Sequence, residues 1–258
     1  MINLKVTIIQ SDLVWENVNA NLQNFTEKIQ SIDEETDLIV LPEMFATGFS
    51  MNPSKFAPYQ DEIIGKLREF ASLKNAVVTG SVITEKNEKY YNSLIWMQPD
   101  GTYEIYDKKH LFSFAGENMF YSEGKNQLIT QLKGWKVMPL VCYDLRFPVW
   151  SRNKANYDLL IYIANWPERR NDAWKTLLKA RAIENLSYVI GVNRVGNDGN
   201  NIYHSGDSAV YDPKGNIISK TKAHEENIET LNLKLEELNA FREKFPAIKD
   251  ADKFTIHP

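Results

Sequence analysis

Val137-Met138-Pro139-Leu140-Val141-Cys142-Tyr143-Asp144-Leu145-Arg146-Phe147-Pro148 runs from an unbroken apolar segment into a polar bend and ends on a proline. The apolar run, Val137 to Val141, predicts a buried strand, and Pro148, with its fixed φ and missing N–H, suits the first turn of a helix. Cys142, the only cysteine of the chain, therefore sits at a strand-to-helix bend. At such a bend a thiol can be exposed at a sheet edge, with backbone N–H groups facing whatever it attacks. Free cysteine is also among the most buried residue types, so this segment alone leaves a reactive and an inert thiol both open.

Outward from that bend, strand-like and helix-like segments alternate almost to both ends. On the N-terminal side, Ile2–Gln10 reads as a strand, and Val18, Leu22, Phe25, Ile29 and Ile32 recur at helical spacing. Asp37–Leu41 reads as a strand stopped by Pro42 and followed by Glu43. Next come a loop over Ala46–Tyr59, a helix with Ile63, Ile64, Leu67, Phe70 and Ala71 on one face, and a strand over Ala76–Ile83. Gln98-Pro99-Asp100-Gly101 is a turn tetrad inside a hairpin over Tyr91–Asp107; Ser113–Lys125 is irregular; Gln127–Leu132 pairs with Trp135–Cys142.

On the C-terminal side the rhythm repeats. It gives a strand at Asp158–Ile163, a helix over Asp172–Asn185 with Leu177, Leu178, Ala182 and Ile183 as its buried stripe, and a strand at Tyr188–Val192. A turn at Gly196–Asn200, a hairpin Ser208–Ile218 around Asp212-Pro213-Lys214-Gly215, a strand Ile228–Leu233 and a helix Leu235–Phe245 follow, with an extended tail from about 246. Strands joined both by hairpins and by helices imply mixed sheets covered by helices, the α/β class. With no linker or repeat, residues 1–258 are expected to form one domain.

Of the 258 residues, 43% are hydrophobic and 25% charged, with a formal charge of -4, so the composition is that of a soluble globular chain without the basic excess that nucleic acid or an anionic membrane requires. One cysteine cannot form an intramolecular disulfide, and a free thiol suits a reducing compartment; the cytoplasm is the expected location. The N-terminus lacks a leader pattern, and no apolar run is long enough for a membrane span. His110, His204, His224 and His257 show no metal-ligand spacing. HExxH, GxSxG, P-loop and GxGxxG patterns are absent, so neither a metal nor another cofactor is expected.

In open α/β sheets ligands bind beyond the carboxyl ends of strands. Glu43, Lys108, Cys142 and the pair Asn165-Trp166 each follow a predicted strand, so one crevice can collect all of them. A thiol attacking an unactivated carbonyl needs a base for its proton and positive charge where the oxyanion develops. Glu43 and Lys108 have those types, yet taken singly they read as a turn carboxylate and a surface lysine, and the residue types alone leave the triad open.

Leu41-Pro42-Glu43-Met44-Phe45, Tyr106-Asp107-Lys108-Lys109-His110-Leu111-Phe112 and the block from Val141 to Pro148 resemble, in order and spacing, the three catalytic blocks of the nitrilase superfamily of carbon-nitrogen hydrolases. Ala164-Asn165-Trp166-Pro167, Ala180-Arg181-Ala182-Ile183-Glu184-Asn185 and Gly206-Asp207-Ser208 extend the resemblance over nearly the whole chain. Asp144 to Arg152 and Arg242-Glu243-Lys244-Phe245-Pro246 are similar to bacterial omega-amidases within it. Asp107 departs from the commoner arginine of the lysine block without touching the catalytic position.

The resemblance implies a four-layer αββα sandwich with two mixed sheets, assembled as a homodimer. It implies Glu43 as base, Cys142 as nucleophile, Lys108 rather than Lys109 as the catalytic lysine, because it lies two residues before His110, and Glu117 as the glutamate supporting that lysine. The implied reaction is hydrolysis of the terminal amide of small 2-oxo dicarboxylate monoamides, 2-oxoglutaramate and 2-oxosuccinamate, through a cysteine thioester. The alternatives are a nitrilase proper, an N-carbamoyl amidohydrolase, or a non-catalytic binding module with Cys142 merely buried.

Such a substrate carries a free carboxylate, for which a planar guanidinium is the usual receptor. Arg170 is the first candidate and Arg146 the second; the competing readings are solvent exposure for Arg170 and an ion pair with Asp144 or another carboxylate for Arg146. Phe45, Phe114, Tyr143 and Trp166 are candidates for the pocket wall, against ordinary core positions.

Overall fold

Alternate residues of the first strand face two different cores, and that division sets the layers of the molecule. The computed structural model describes residues 3–256; Ile2 of the first expected strand and His257 lie outside the described residues. In chain order the elements are β1 (Asn3–Gln10), α1 (Val18–Gln30), β2 (Leu38–Val40), α2 (Pro53–Phe56), α3 (Gln60–Lys74), β3 (Val77–Lys86), β4 (Lys89–Met97), β5 (Tyr103–Asp107) and α4 (Glu117–Phe120). There follow β6 (Thr130–Leu132), β7 (Trp135–Val141), α5 (Pro148–Ser151), β8 (Leu159–Ala164), α6 (Asn171–Asn185), β9 (Tyr188–Asn193), β10 (Val195–Asn197), β11 (Tyr203–Ser205), β12 (Ala209–Tyr211), β13 (Asn227–Lys234) and α7 (Leu235–Lys244).

Two mixed sheets form, as expected. One runs β13-β1-β2-β3-β4-β5, with β1, β2 and β3 parallel; the other runs β12-β9-β8-β7-β6, with β7, β8 and β9 parallel. Leu4, Val6 and Ile8 of β1 pack in one buried cluster with Val40, Trp96 and most of the apolar residues of β7 to β9, so the two sheets lie face to face. The alternate positions Ile9, Ile39, Val78 and Ile95 belong to a second cluster with Phe25 and Ile29 of α1 and Leu67 and Phe70 of α3. Trp174, Leu178 and Ala182 of α6 cover the other side of the second sheet. The layers are therefore helix, sheet, sheet, helix.

Local signals place the main helices. Asn17 caps α1 by accepting from the Ala20 N–H at 3.1 Å, and Asn75 ends α3 in the left-handed conformation at φ 47°. Pro148 opens α5 as expected.

Several expectations need correction. The loop Ala46–Tyr59 contains α2, opened by Pro53, and a 3-10 turn Ala57–Tyr59; Ser113–Lys125 contains a 3-10 turn Ser113–Ala115 and α4. The turn Gly196–Asn200 is part of the β10–β11 hairpin, and the return arm of the hairpin after β12 is reduced to the single bridge Tyr211–Ile217. On α6, Ile183 is 45% exposed while Trp174 and Arg181 are buried, because the indole and guanidinium reach inward to bond the Asp207 and Leu145 carbonyls. Part of the C-terminal tail coils into a 3-10 turn, Ala247–Asp250. No helix among the described residues is long and apolar enough to cross a membrane.

Candidate active site

Pro42 ends β2, and the turn behind it carries Glu43 into the interior, where its side chain has no exposure. A buried carboxylate must be hydrogen-bonded, and this one is. Oε1 accepts from Asn92 Nδ2 at 2.8 Å and Lys108 Nζ at 2.9 Å, and Oε2 accepts from the Asn165 N–H at 2.8 Å. Lys108, one residue past β5, also donates to both oxygens of Glu117 at 2.9 Å and stands 5.0 Å over the Phe49 ring. Glu117, at the start of α4, accepts the Phe112 N–H at 2.5 Å. Glu43, Lys108 and Glu117 thus form one buried network of two carboxylates around one ammonium.

Cys142 is the residue after β7 and takes the left-handed conformation, φ 46°, which lets the chain leave the strand into the 3-10 turn Cys142–Arg146. Asp144 staples that turn to the end of β5. Its Oδ2 accepts from the Val141 N–H at 3.1 Å and Tyr106 Oη at 2.7 Å, while its Oδ1 accepts the His110 N–H at 3.0 Å and lies 2.8 Å from His110 Nδ1. The lysine segment and the cysteine bend are consequently held as one unit.

Charge in this enclosure follows from burial and neighbours. Burial pushes the Cys142 thiol well above its ordinary value and Glu43 adds to the rise, with Lys108 opposing; the resting group is the neutral thiol. Burial works against the Lys108 ammonium, but Glu117 and Glu43 outweigh it and raise its pKa. Burial also raises the Glu117 carboxyl, with Lys108 pulling the other way and Glu43 reinforcing the rise. A neutral thiol beside a carboxylate and a fixed ammonium is equipped to be deprotonated as it attacks and to have the resulting oxyanion compensated.

Cys142 opens into a cavity of about 240 Å³ whose wall includes Phe49, Phe112, Phe114, Tyr143, Asn165, Trp166 and Ile202, with Arg146, Arg169, Arg170, Asp198 and His204 contributing polar groups. Phe114, Tyr143, Trp166, Arg146 and Arg170 are brought together there, beside Cys142. Phe45 is not: it is fully buried on the other side of β2, edge-on to Phe25 of α1 at 5.3 Å, and belongs to the helix-side core. The competing reading of Arg146, an ion pair with Asp144 or another carboxylate, is not realised among the described residues, and the Asp144 oxygens are committed to the staple. The Arg146 guanidinium instead lies 5.0 Å over the Trp166 ring, and that of Arg170 lies 5.1 Å over Phe112. Burial lowers the Arg170 pKa, with Arg169 and Arg146 adding like-charge repulsion. Among the described residues none of these three guanidiniums forms an ion pair with a carboxylate, and Asp198 is the one acidic side chain on the same wall.

Asn92, Phe49, Phe112, Arg169, Asp198, Ile202 and His204 have no place in the sequence-based site. Asn92 sits within a strand, and Asp198, Ile202 and His204 arrive from the β10–β11 hairpin, so only the packing of separate segments reveals them. His204 is buried and neutral, its pKa pushed down to about 4 by burial first and by Arg194 second.

The sequence of the family described as carbon-nitrogen hydrolase matches residues 5–243. The chain is 44% identical to Omega-amidase YafV of Escherichia coli strain K12 over 256 residues, which is 99% of this chain and 100% of that protein. It is 31% identical to 2-oxoglutaramate amidase of Bacillus subtilis, covering 96% and 97% of the two chains. Among solved structures, the CN-hydrolase superfamily protein XC1258 from Xanthomonas campestris, which carries an arsenic adduct in its active site, superposes with a TM-score of 0.96 at 38% identity over 100% of both chains.

Proposed function

The chain belongs to the carbon-nitrogen hydrolase family, and from that membership we propose that it is an omega-amidase, cleaving the terminal amide of small 2-oxo dicarboxylate monoamides to the dicarboxylate and ammonia. The observation that carries this reading is the pairing, in one cavity, of a thiol beside a buried Glu–Lys–Glu network with three guanidiniums that, among the described residues, form no ion pair. An amide with a carboxylate at its far end fits both halves.

In the proposed mechanism Glu43 takes the proton of the Cys142 thiol as sulfur attacks the amide carbon. The oxyanion is received by the Lys108 ammonium and the backbone N–H of Tyr143. Glu43 returns the proton to nitrogen, the C–N bond breaks and ammonia leaves, with a thioester remaining on Cys142. Glu43 then deprotonates a water that attacks the thioester carbon, the C–S bond breaks to release the dicarboxylate, and Glu43 returns the proton to the Cys142 sulfur. Glu117 shares Lys108 with Glu43 and keeps the ammonium charged and in place. The planar forks of Arg170 and Arg146 hold the substrate carboxylate, and Phe112, Phe114, Tyr143 and Trp166 enclose the short carbon chain. We assign the enzyme to the cytoplasm as a homodimer.

A substrate panel tests the reading. Ammonia release from 2-oxoglutaramate and 2-oxosuccinamate, without turnover of nitriles or ureido acids of the same length, is expected. Preference for a nitrile or a ureido acid would replace it with the corresponding activity of the same family.

A further inference from the structure

Asn165 follows β8 on the wall of the Cys142 cavity and is 6% exposed. Its backbone N–H donates to Glu43 Oε2 at 2.8 Å, and its Nδ2 donates to the backbone carbonyl of Glu43. The second bond fixes which way the side-chain amide faces, because turning it over would set Oδ1 against another carbonyl oxygen. Oδ1 is thereby left as a buried acceptor with no donor. Buried acceptors are rarely left unpaired, and on a cavity wall the missing donor is a water or the ligand group that displaces it. Asn92 has an unpartnered Oδ1 as well, but it is not on the cavity wall.

We infer that Asn165 Oδ1 accepts an N–H of the substrate's primary amide and so holds the NH2 group beside Glu43 until it departs as ammonia. The inference rests on the amidase reading and names a specificity-determining residue for it. A primary amide brings two N–H donors out of water. With its carbonyl oxygen directed to Lys108 and the Tyr143 N–H, its nitrogen faces the side where Glu43 must protonate it. Glu43 there already accepts from Asn92, Lys108 and the Asn165 N–H, so a further acceptor next to it is what the NH2 group needs. A nitrile nitrogen and an ester oxygen carry no hydrogen and would leave Oδ1 unpaired. Sites built to bond a polar group discriminate against analogues that lack it.

The test compares a 2-oxo dicarboxylate monoamide with the methyl ester of the same acid. Both acylate Cys142 to the same thioester, so the ratio of their kcat/KM values isolates acylation and does not depend on the fraction of enzyme that is folded. Wild type, Asn165→Ala, Asn165→Ser and Asn92→Ala are measured, the last loosening Glu43 without touching the cavity. The amide-to-ester ratio is expected to fall by ~10-fold or more in both Asn165 variants and by less than ~3-fold in Asn92→Ala. An unmoved ratio in the Asn165 variants, or an equal fall in Asn92→Ala, would show that Asn165 acts only through Glu43 and overturn the inference. A wild-type enzyme that cleaves neither compound sinks the amidase reading along with it, whereas cleavage of the amide with an unmoved ratio sinks the inference alone.

Discussion

Among the described residues Lys108 is the one ammonium paired with two buried glutamates at once, with no exposed surface on any of the three side chains. Removing it therefore does more than delete an oxyanion donor. Lys108→Ala is expected to lose about 3 kcal/mol of transition-state stabilisation, and also to lower folding stability by about 3–5 kcal/mol because Glu43 and Glu117 are left as uncompensated buried charges. Kinetics and urea unfolding on the same preparation check both, and an unchanged unfolding midpoint would contradict the buried network. Arg170→Ala is expected to raise KM by ~10-fold or more for an amide bearing a distal carboxylate while leaving a neutral amide of equal length unaffected; equal effects on both would remove Arg170 from carboxylate binding. At this scale the strand-end positions of Glu43, Lys108 and Cys142 were legible from the apolar runs that precede them, whereas the roles proposed for them came only with the resemblance of the three blocks, because the residue types alone left the triad open. Phe45, two residues from Glu43, was misread because β2 is buried on both faces and its sequence does not say which core the following aromatic enters.

The 3-10 turn after β7 and the end of β5 are far apart in the chain, and Asp144 joins them through Val141, Tyr106 and His110. Asp144→Ala leaves two backbone N–H groups and a buried hydroxyl without their acceptor, so a stability loss of about 3 kcal/mol is expected. Turnover should fall as well, because Cys142 and Lys108 are no longer held to one frame. Thermal unfolding together with kcat measures this, and a stable variant with wild-type kcat would dismiss the staple. Most elements were legible from apolar periodicity. The β10–β11 hairpin was not, since its strands are three residues each and carry polar residues, and its β-pairing is made by neighbours in space rather than by an alternating pattern. The pocket residues Ile202 and His204 were missed with it.

Across the whole molecule, two sheets packed face to face leave the strand ends of both at one crevice, which is why residues from opposite ends of the chain meet. His204 at that crevice ties stability to acidity. In the unfolded chain its imidazole takes a proton near the ordinary 6.5, whereas the folded protein holds it neutral down to about 4. Below pH 6.5 the unfolded state therefore binds more protons, so its stabilising share is present above 6.5, declines as pH falls and is gone below about 4, amounting to about 3 kcal/mol. Urea midpoints at neutral pH and near 4.5 should show a smaller acid loss for His204→Gln than for wild type; equal losses would contradict the buried neutral state. Light scattering is expected to give a dimer, and a monomer at micromolar concentration would count against the proposed assembly. The central claim, that Cys142 is the nucleophile of an amidase, is tested most directly by ammonia release from 2-oxoglutaramate by wild type and by Cys142→Ala of matching unfolding midpoint. Release by wild type and none above background by the variant is the predicted result, and release that survives the substitution, or that neither protein shows, would contradict it.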